Sequence, residues 1–295
     1  MPRLEAVKRS EGRRSGHMIA ILTDFGTLDP YVGVMKGVIL GINPATPIVD
    51  LTHAVERQAI KQGAWLLAGA VSYFPPKTVF LGVVDPGVGG ARRAIAAEAG
   101  GYSFVGPDNG LFTYALRALG GGRAVELTEP SFRLPQVSYS FHGRDIFAPA
   151  AAYLSLGTPL EAFGDPLDEL VTLPPPLLAR EGNVLRGEVV HIDGFGNIET
   201  SIGPVRWQDP QTLELPPDLP GLAGASVPAR RLSVRLPKSA QQPLPGLWHS
   251  YGEVAEGALF ALAGSRAAIE IGRNRASATA LTGARLGDPV ELITE

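Results

Sequence analysis

The chain has 295 residues, of which 45% are hydrophobic and 19% charged, and a formal net charge of −3. This is the profile of a globular protein with a sizeable core and no whole-molecule attraction to nucleic acid or an anionic membrane. It has no cysteine, which excludes disulfides, zinc–thiolate sites, iron–sulfur clusters and Cys nucleophiles and suits a cytoplasmic location.

In chain order, "MPRLEAVKRSEGRRSGHM" is basic and lacks an apolar centre, so residues 1–17 are expected to be a disordered extension rather than a signal peptide. "HMIAILTDFG" (17–26) is an apolar run ending in polar residues and Gly, the pattern of a buried strand. A helix is expected over 29–44, with Asp29 as cap, Pro30 in the first turn and "NP" as stop. "PIVDL" (47–51) predicts a second strand, 56–74 a second helix, and "TVFLGVV" (78–84) a third strand that delivers Asp85. A strand pair follows in "RRAIAAEA" and "YSFVG". Then come a helix near 109–119, a strand at 124–129 and a helix over 145–155 after His142. No apolar run approaches the roughly 20 residues of a membrane-spanning helix, so no membrane partner is expected.

Alternating strands and helices over 18–170 predict an α/β domain, a mostly parallel sheet flanked by helices. Sites in such sheets form outside the carboxyl ends of the strands, where Asp24 and Asp85 stand. Pro and turn residues suggest a linker at 171–185. Short strand patterns over 186–295 predict a smaller, mainly β C-terminal domain, with a loop at the proline-crowded 209–222.

Several stretches can carry chemistry. In "TDFGTLD" (23–29), Asp24 suits chelation of a ribose diol, since one carboxylate accepts from two hydroxyls; turn formation and helix capping are the plainer alternative. "DPGVGGARR" (85–93) resembles a phosphate loop, but a strand pattern follows where a helix N-terminus would be needed. "SFHGRDIFAPA" (140–150) sets His142 before a helix, either as a catalytic group or as a solvated histidine. "DGFGN" (193–197) is a hairpin turn or a binding loop, and "GSRAAIEIGRNRASA" (264–278) alone reads as an exposed basic strand. His53, Asp85, His142 and His191 are too scattered to suggest a metal site, and no metal is expected. None of the common zinc-protease, nucleophile-elbow, Walker or Rossmann motifs occurs.

Taken in order, "ILTDFGTLDPYVGVMKGVIL", "VVDPGVGGARRAIA", "GPDNGLF", "FHGRDIFAPAA", "HIDGFGNIETSI" and "GSRAAIEIGRN" resemble the S-adenosyl-L-methionine (SAM) hydrolases (adenosine-forming). These are also known as SAM hydroxide adenosyltransferases and are relatives of fluorinase and chlorinase. The resemblance spans about residues 18–293. It implies a β-barrel-like C-terminal domain, and a homotrimer with sites between one subunit's N-terminal domain and a neighbour's C-terminal domain. The implied activity is hydrolysis of SAM to adenosine and L-methionine, with no cofactor. The water-activating triad falls on Asp85, Arg92 and His142, with the base open between Asp85 and His142. Asp24 falls on the acid that holds both ribose hydroxyls, and Asp29 and Asp193 on groups near the methionine amine. Ser265 and Arg266 fall on contacts to the methionine moiety, and Phe195, Asn197 and Arg273 on positions around adenine.

The chain departs from that pattern at Gln58, where relatives place an aromatic ring. Gly264 stands for a common Asn, and Ala267 for a usual Gly. The halogenase relatives carry Tyr–Ser where this chain has His142–Gly143, Tyr at the position of Asp85, Thr at that of Val88, and an inserted loop this chain lacks. These differences favour water over halide as the nucleophile. A SAM-dependent halogenase and a non-catalytic SAM or adenosine-binding protein are the alternatives.

Overall fold

A computed structural model describes residues 17–215 and 226–294. Apart from His17, the expected N-terminal extension lies outside the described residues. The chain divides into two compact units, which meet in sequence at Thr172 and Leu173.

The first unit runs β1 (Ile19–Thr23), α1 (Tyr31–Ile42), β2 (Ile48–Thr52), α2 (Ile60–Val71), β3 (Val79–Val83), β4 (Ala94–Ala99) and β5 (Tyr102–Pro107). It continues with α3 (Thr113–Ala118), β6 (Arg123–Glu126), α4 (Ala148–Ser155) and β7 (Pro166–Leu167). The sheet order is β2-β1-β3-β5-β4-β6-β7. The first four strands in that order are mutually parallel, and β4, β6 and β7 add an antiparallel flank. Strands β1 and β3 are buried along their whole length, as expected of apolar runs in a sheet covered on both faces. Alternation sorts their side chains. Ile19 and Ile21 join Met35 and Ile39 of α1 and Ala151 of α4 on one face. Ala20 and Leu22 join Leu67 and Val71 of α2 and Ala115 of α3 on the other.

Three local expectations are corrected. Helix α1 begins one residue later than its punctuation suggests: Pro30 occupies the cap itself, and no side chain, Asp29 included, caps it by hydrogen bond. Helix α2 begins at Ile60 because Gln58 takes a left-handed φ of 66°, which a helical turn cannot contain. The stretch 209–222 is not wholly loop. Arg206–Asp209 and Thr212–Glu214 pair as a hairpin with Pro210 at its turn, where the missing N–H costs nothing; residues 216–222 lie outside the described residues.

The second unit contains β8 (Leu178–Glu181), β9 (Val184–Ile192), β10 (Ile198–Thr200), β11 (Arg206–Asp209), β12 (Thr212–Glu214) and β13 (Ser226–Pro228). After these come β14 (Leu232–Arg235), β15 (Leu244–Pro245), β16 (Leu259–Ala263), β17 (Ile269–Arg273), α5 (Ala278–Thr282) and β18 (Pro289–Thr294). Strand β8 lies within the stretch read as a linker and pairs with β9 through a tight turn at Gly182. An antiparallel sheet runs β15-β14-β18-β9-β10-β17-β16. A bridge between Trp248 and Leu262 draws its two edges together, giving the expected barrel-like, nearly closed form. Its interior is aliphatic, with Leu185, Val189, Ile198, Ile271, Val290 and Leu292 among the buried residues.

Candidate active site

The carboxyl ends of β1 and β3 carry the two acids singled out in the sequence. Thr23, the last residue of β1, is fully buried and holds His53 Nδ1 at 2.9 Å through its hydroxyl. The other ring nitrogen of His53 lies 3.0 Å from Asp50, which also pairs with Lys36 at 2.7 Å. His53 is thereby committed to the base of the Asp24 turn. Its carbonyl accepts from Gly26 N–H at 2.7 Å. Asp24 Oδ2 accepts from the backbone N–H of Gln58 at 2.8 Å. The left-handed Gln58 is thus the residue whose backbone meets the acid. Asp29 lies exposed at the far end of this turn.

Past β3 the chain bends through Pro86–Gly90 and returns as β4, so no helix N-terminus follows and the loop is not a phosphate cradle. The bend brings Arg92 back onto Asp85. Arg92 Nε donates to both carboxylate oxygens, at 2.9 and 3.1 Å, and Nη2 donates to Oδ2 at 2.5 Å. Nη2 also lies 2.8 Å from Nδ1 of His142. A guanidinium has no acceptor, so Nδ1 must be the acceptor and the neutral ring carries its proton on Nε2. Both charged side chains are largely buried, Asp85 at 4% and Arg92 at 11% exposure, and the Arg92 guanidinium also lies over the Phe147 ring at 5.2 Å.

The glycines make this approach possible. At Gly89, φ is 74°, and a Cβ would stand 2.1 Å from the carbonyl oxygen of Tyr139. Only glycine lets the loop lie against the segment that leads to His142. Around that segment, Phe141 packs edge-on against Phe25 and Tyr31, with centroids 6.1 and 5.2 Å away. His142 is followed by a single wide π-turn, Gly143–Phe147, a device often found at functional sites. Asp145 within it is fully buried and accepts from both the backbone N–H and the hydroxyl of Ser138, at 2.8 and 2.7 Å. It therefore fixes the strap that delivers His142. Reading the sequence missed this role, although "GRD" directly after the histidine was visible. The pKa of His142 lies below the ordinary imidazole range, first because burial disfavours the cation and second because Arg92 stands beside it.

In the second unit, the "DGFGN" stretch is a turn built on one carboxylate. Asp193 Oδ1 accepts from the N–H groups of Phe195 and Asn197, both at 2.9 Å, and Oδ2 accepts from the Asn197 amide at 2.9 Å. This leaves Phe195 82% exposed. Ser265 and Arg266 lie exposed in the β16–β17 turn, with Arg266 3.6 Å from Glu199. Arg273 ends β17 and donates to the Gly257 carbonyl at 2.9 Å. Tyr251 donates to Glu270 at 2.8 Å, a pair the sequence did not suggest. Burial, followed by the Glu270 contact, pushes the tyrosine pKa up, while burial and the Asp193 charge push up that of Glu270. Ala267 adopts a left-handed φ of 58°.

Among the described residues no group of three or more His, Asp or Glu is arranged to hold a metal ion, and no helix is long and apolar enough to cross a membrane.

Comparison with known proteins follows the same division. Residues 19–164 match the family model "SAM hydroxide adenosyltransferase N-terminal domain", and residues 187–291 match its C-terminal counterpart. An (R)-S-adenosyl-L-methionine hydrolase of Thermus thermophilus is 40% identical over 285 residues, covering 93% of this chain and 99% of its own. One of Salinispora tropica is 39% identical over 274 residues, covering 92% and 95%. A fluorinase of an Actinoplanes species is 30% identical over 212 residues, covering 63% and 71%. A crystal structure of an uncharacterized conserved protein from Thermotoga maritima superposes with a TM-score of 0.81 at 35% identity, covering 94% of this chain and all of that one.

Proposed function

This chain belongs to the SAM hydroxide adenosyltransferase family, and from that premise we propose that it hydrolyses SAM to adenosine and L-methionine by in-line attack of water on C5′. The observation that carries this reading is the contact of Asp85, Arg92 and His142 through one guanidinium.

The sulfonium leaves as a neutral thioether, so the leaving group needs no acid. The difficult part is the nucleophile. A bond forms from the water oxygen to C5′, the C5′–S bond breaks with its electron pair going to sulfur, and one water proton must be accepted. Arg92 is permanently cationic and stabilises developing hydroxide character. His142 has its Nδ1 lone pair occupied by Arg92 and its proton on Nε2, so it is suited to donate to the water oxygen and orient it. That leaves the Asp85 carboxylate, with lone pairs to spare, as the proton acceptor. Holding the water in line is itself worth up to about 7–11 kcal/mol in well-oriented systems. Because no leaving-group activation is needed, the reaction is taken to require neither metal nor cofactor.

Asp24 is assigned to the two ribose hydroxyls, Asp29 and Asp193 to the methionine amine, Ser265 and Arg266 to the methionine moiety, and Phe195, Asn197 and Arg273 to adenine. The exposure of an aromatic ring at Phe195 supports a surface that awaits a ligand. The homotrimer with intersubunit sites implied by the family resemblance, and the cytoplasmic location suited by the lack of cysteine, belong to the same proposal; light scattering tests the former. Water is favoured over halide at Gly143, where Met35 Sδ and the Phe141 ring would stand 3.2 and 3.3 Å from a Cβ, crowding the serine that halogenase relatives carry.

Incubation with SAM in ¹⁸O-water, with and without halide or chelator, tests the reading. Adenosine labelled at the 5′ oxygen, insensitive to chelator, is the expected product. A 5′-halo-adenosine would make the protein a halogenase, and SAM binding without product a non-catalytic binder.

A further inference from the structure

The loop from Asp85 to Arg92 is fastened at both ends by two consecutive residues outside it. Asn109 donates from Nδ2 to the carbonyl of Val84 at 2.8 Å, immediately before Asp85. Asp108 accepts from Arg93 Nε at 2.8 Å and from Arg93 Nη2, immediately after Arg92. Its backbone N–H donates to the Arg93 carbonyl at 3.0 Å, extending the β4–β5 ladder by one rung beyond the Ala94–Pro107 pair.

The clamp is itself anchored. Asp108 is 4% exposed, and its second oxygen accepts from Val171 N–H at 2.8 Å. Arg93 Nη2 donates on to the Glu169 carbonyl at 2.8 Å. Asn109 Oδ1 accepts from Leu111 N–H at 3.2 Å, which holds the amide with its donor toward Val84. The pair is buried only on the Asp108 side, but two donors of one guanidinium on one carboxylate oxygen hold Arg93 in a single orientation. Here the fixed geometry is the separation of the two residues that flank the triad's loop.

We infer that Asp108 and Asn109 are positioning residues that set the distance between Asp85 and Arg92, and so the placement of the guanidinium on His142. Its expected effect on turnover rests on the hydrolytic reading given above. A shift of about 1 Å in a catalytic group can cost around a hundredfold in rate, so a clamp that touches no substrate can still govern kcat.

The test uses the full chain with Asn109→Ala, Arg93→Lys and Arg92→Lys, and the Asn109→Ala/Arg92→Lys double variant. Adenosine release, adenosine affinity by calorimetry, and the NMR titration of His142 are measured for each. Asn109→Ala is expected to lower kcat at least tenfold, with KM and adenosine affinity within about threefold of the parent, and to raise the His142 pKa as Arg92 drifts. Arg93→Lys keeps the charge but not the fork, and should give a smaller loss of the same kind. The double variant should lose less than the product of the single losses, since both act through one guanidinium. Parental kcat and an unmoved His142 titration in folded Asn109→Ala and Arg93→Lys would overturn the clamp. So would a kcat loss matched by an equal loss of adenosine affinity, the mark of general loosening. If the parent released no adenosine, the hydrolytic reading would fall, and the His142 titration alone would decide the clamp.

Discussion

Asp85 Oδ2 and His142 Nδ1 share one donor atom, Nη2 of Arg92, at 2.5 and 2.8 Å. The acid and the imidazole are therefore coupled through a single cation, and neither can move or change charge without the other registering it.

The first consequence concerns pH. Burial and the Arg92 charge hold the His142 pKa low, so the ring stays neutral to a lower pH than a free histidine. Activity that needs the neutral ring should hold through neutral pH and fall only below the usual imidazole value of about 6.5. Arg92→Gln removes the second of these causes and should move the His142 titration upward in NMR. An unshifted titration would remove Arg92 as a cause of the low value.

The second concerns the base. Asp85→Asn should lower kcat by about 10²-fold or more, the usual scale for a general base, with KM little changed. His142→Gln retains an N–H donor and should lose less. The reverse order in steady-state kinetics would transfer the base role to His142.

Asp24 should act on affinity rather than on chemistry. If its carboxylate holds both ribose hydroxyls, Asp24→Ala should weaken adenosine binding about tenfold to a hundredfold, the worth of one or two hydrogen bonds to a charge. Calorimetry with adenosine checks this, and unaltered affinity would remove the diol role.

Gly89→Ala drives a methyl group to 2.1 Å from the Tyr139 carbonyl oxygen at a φ of 74°. Turnover should fall with stability, by about 1–3 kcal/mol on the scale of local backbone strain. Denaturant melts and adenosine release, run on the same samples, would show both; parental values in each would mean that the loop has slack.

Ala267→Gly should do the opposite. The residue sits at a φ of 58°, where an alanine carries about 1–2 kcal/mol of steric cost. Glycine relieves it at some loss of chain entropy, so a net gain of up to about 1 kcal/mol is expected in chemical denaturation.

Much of the first unit was legible in the sequence because β1 and β3 are apolar runs and their ends place Asp24 and Asp85 predictably. In the second unit β9, β10, β14, β16, β17 and β18 were legible from their punctuation; β8, inside the stretch read as a linker, the short β13 and β15, and the β11–β12 hairpin, hidden by the density of prolines beside it, were not. Helix α2 was drawn too long because the residues before Ile60 carry no local sign of the left-handed Gln58; that conformation comes with its contact to Asp24. The roles of Asp145, Asp108 and Asn109 were not legible, since the partners that matter lie 7 to 63 positions away in sequence: Ser138, Val84, Arg93 and Val171. The triad was nameable only through the order of six motifs. From "DPGVGGARR" alone, nothing told Arg92 from Arg93.

Their difference has a consequence for altering the loop. Just before β4 the two side chains part, so Arg92 meets Asp85 while Arg93 meets Asp108. A deletion of one residue between Gly87 and Ala91 would bring Arg93 opposite Asp85 and leave Ala94 at the anchor, while an insertion of one would bring Ala91 to the site and Arg92 to the anchor. Charge and composition would be nearly untouched. Libraries that randomise this loop at constant length should return graded activities, whereas those that vary its length should return inactive proteins.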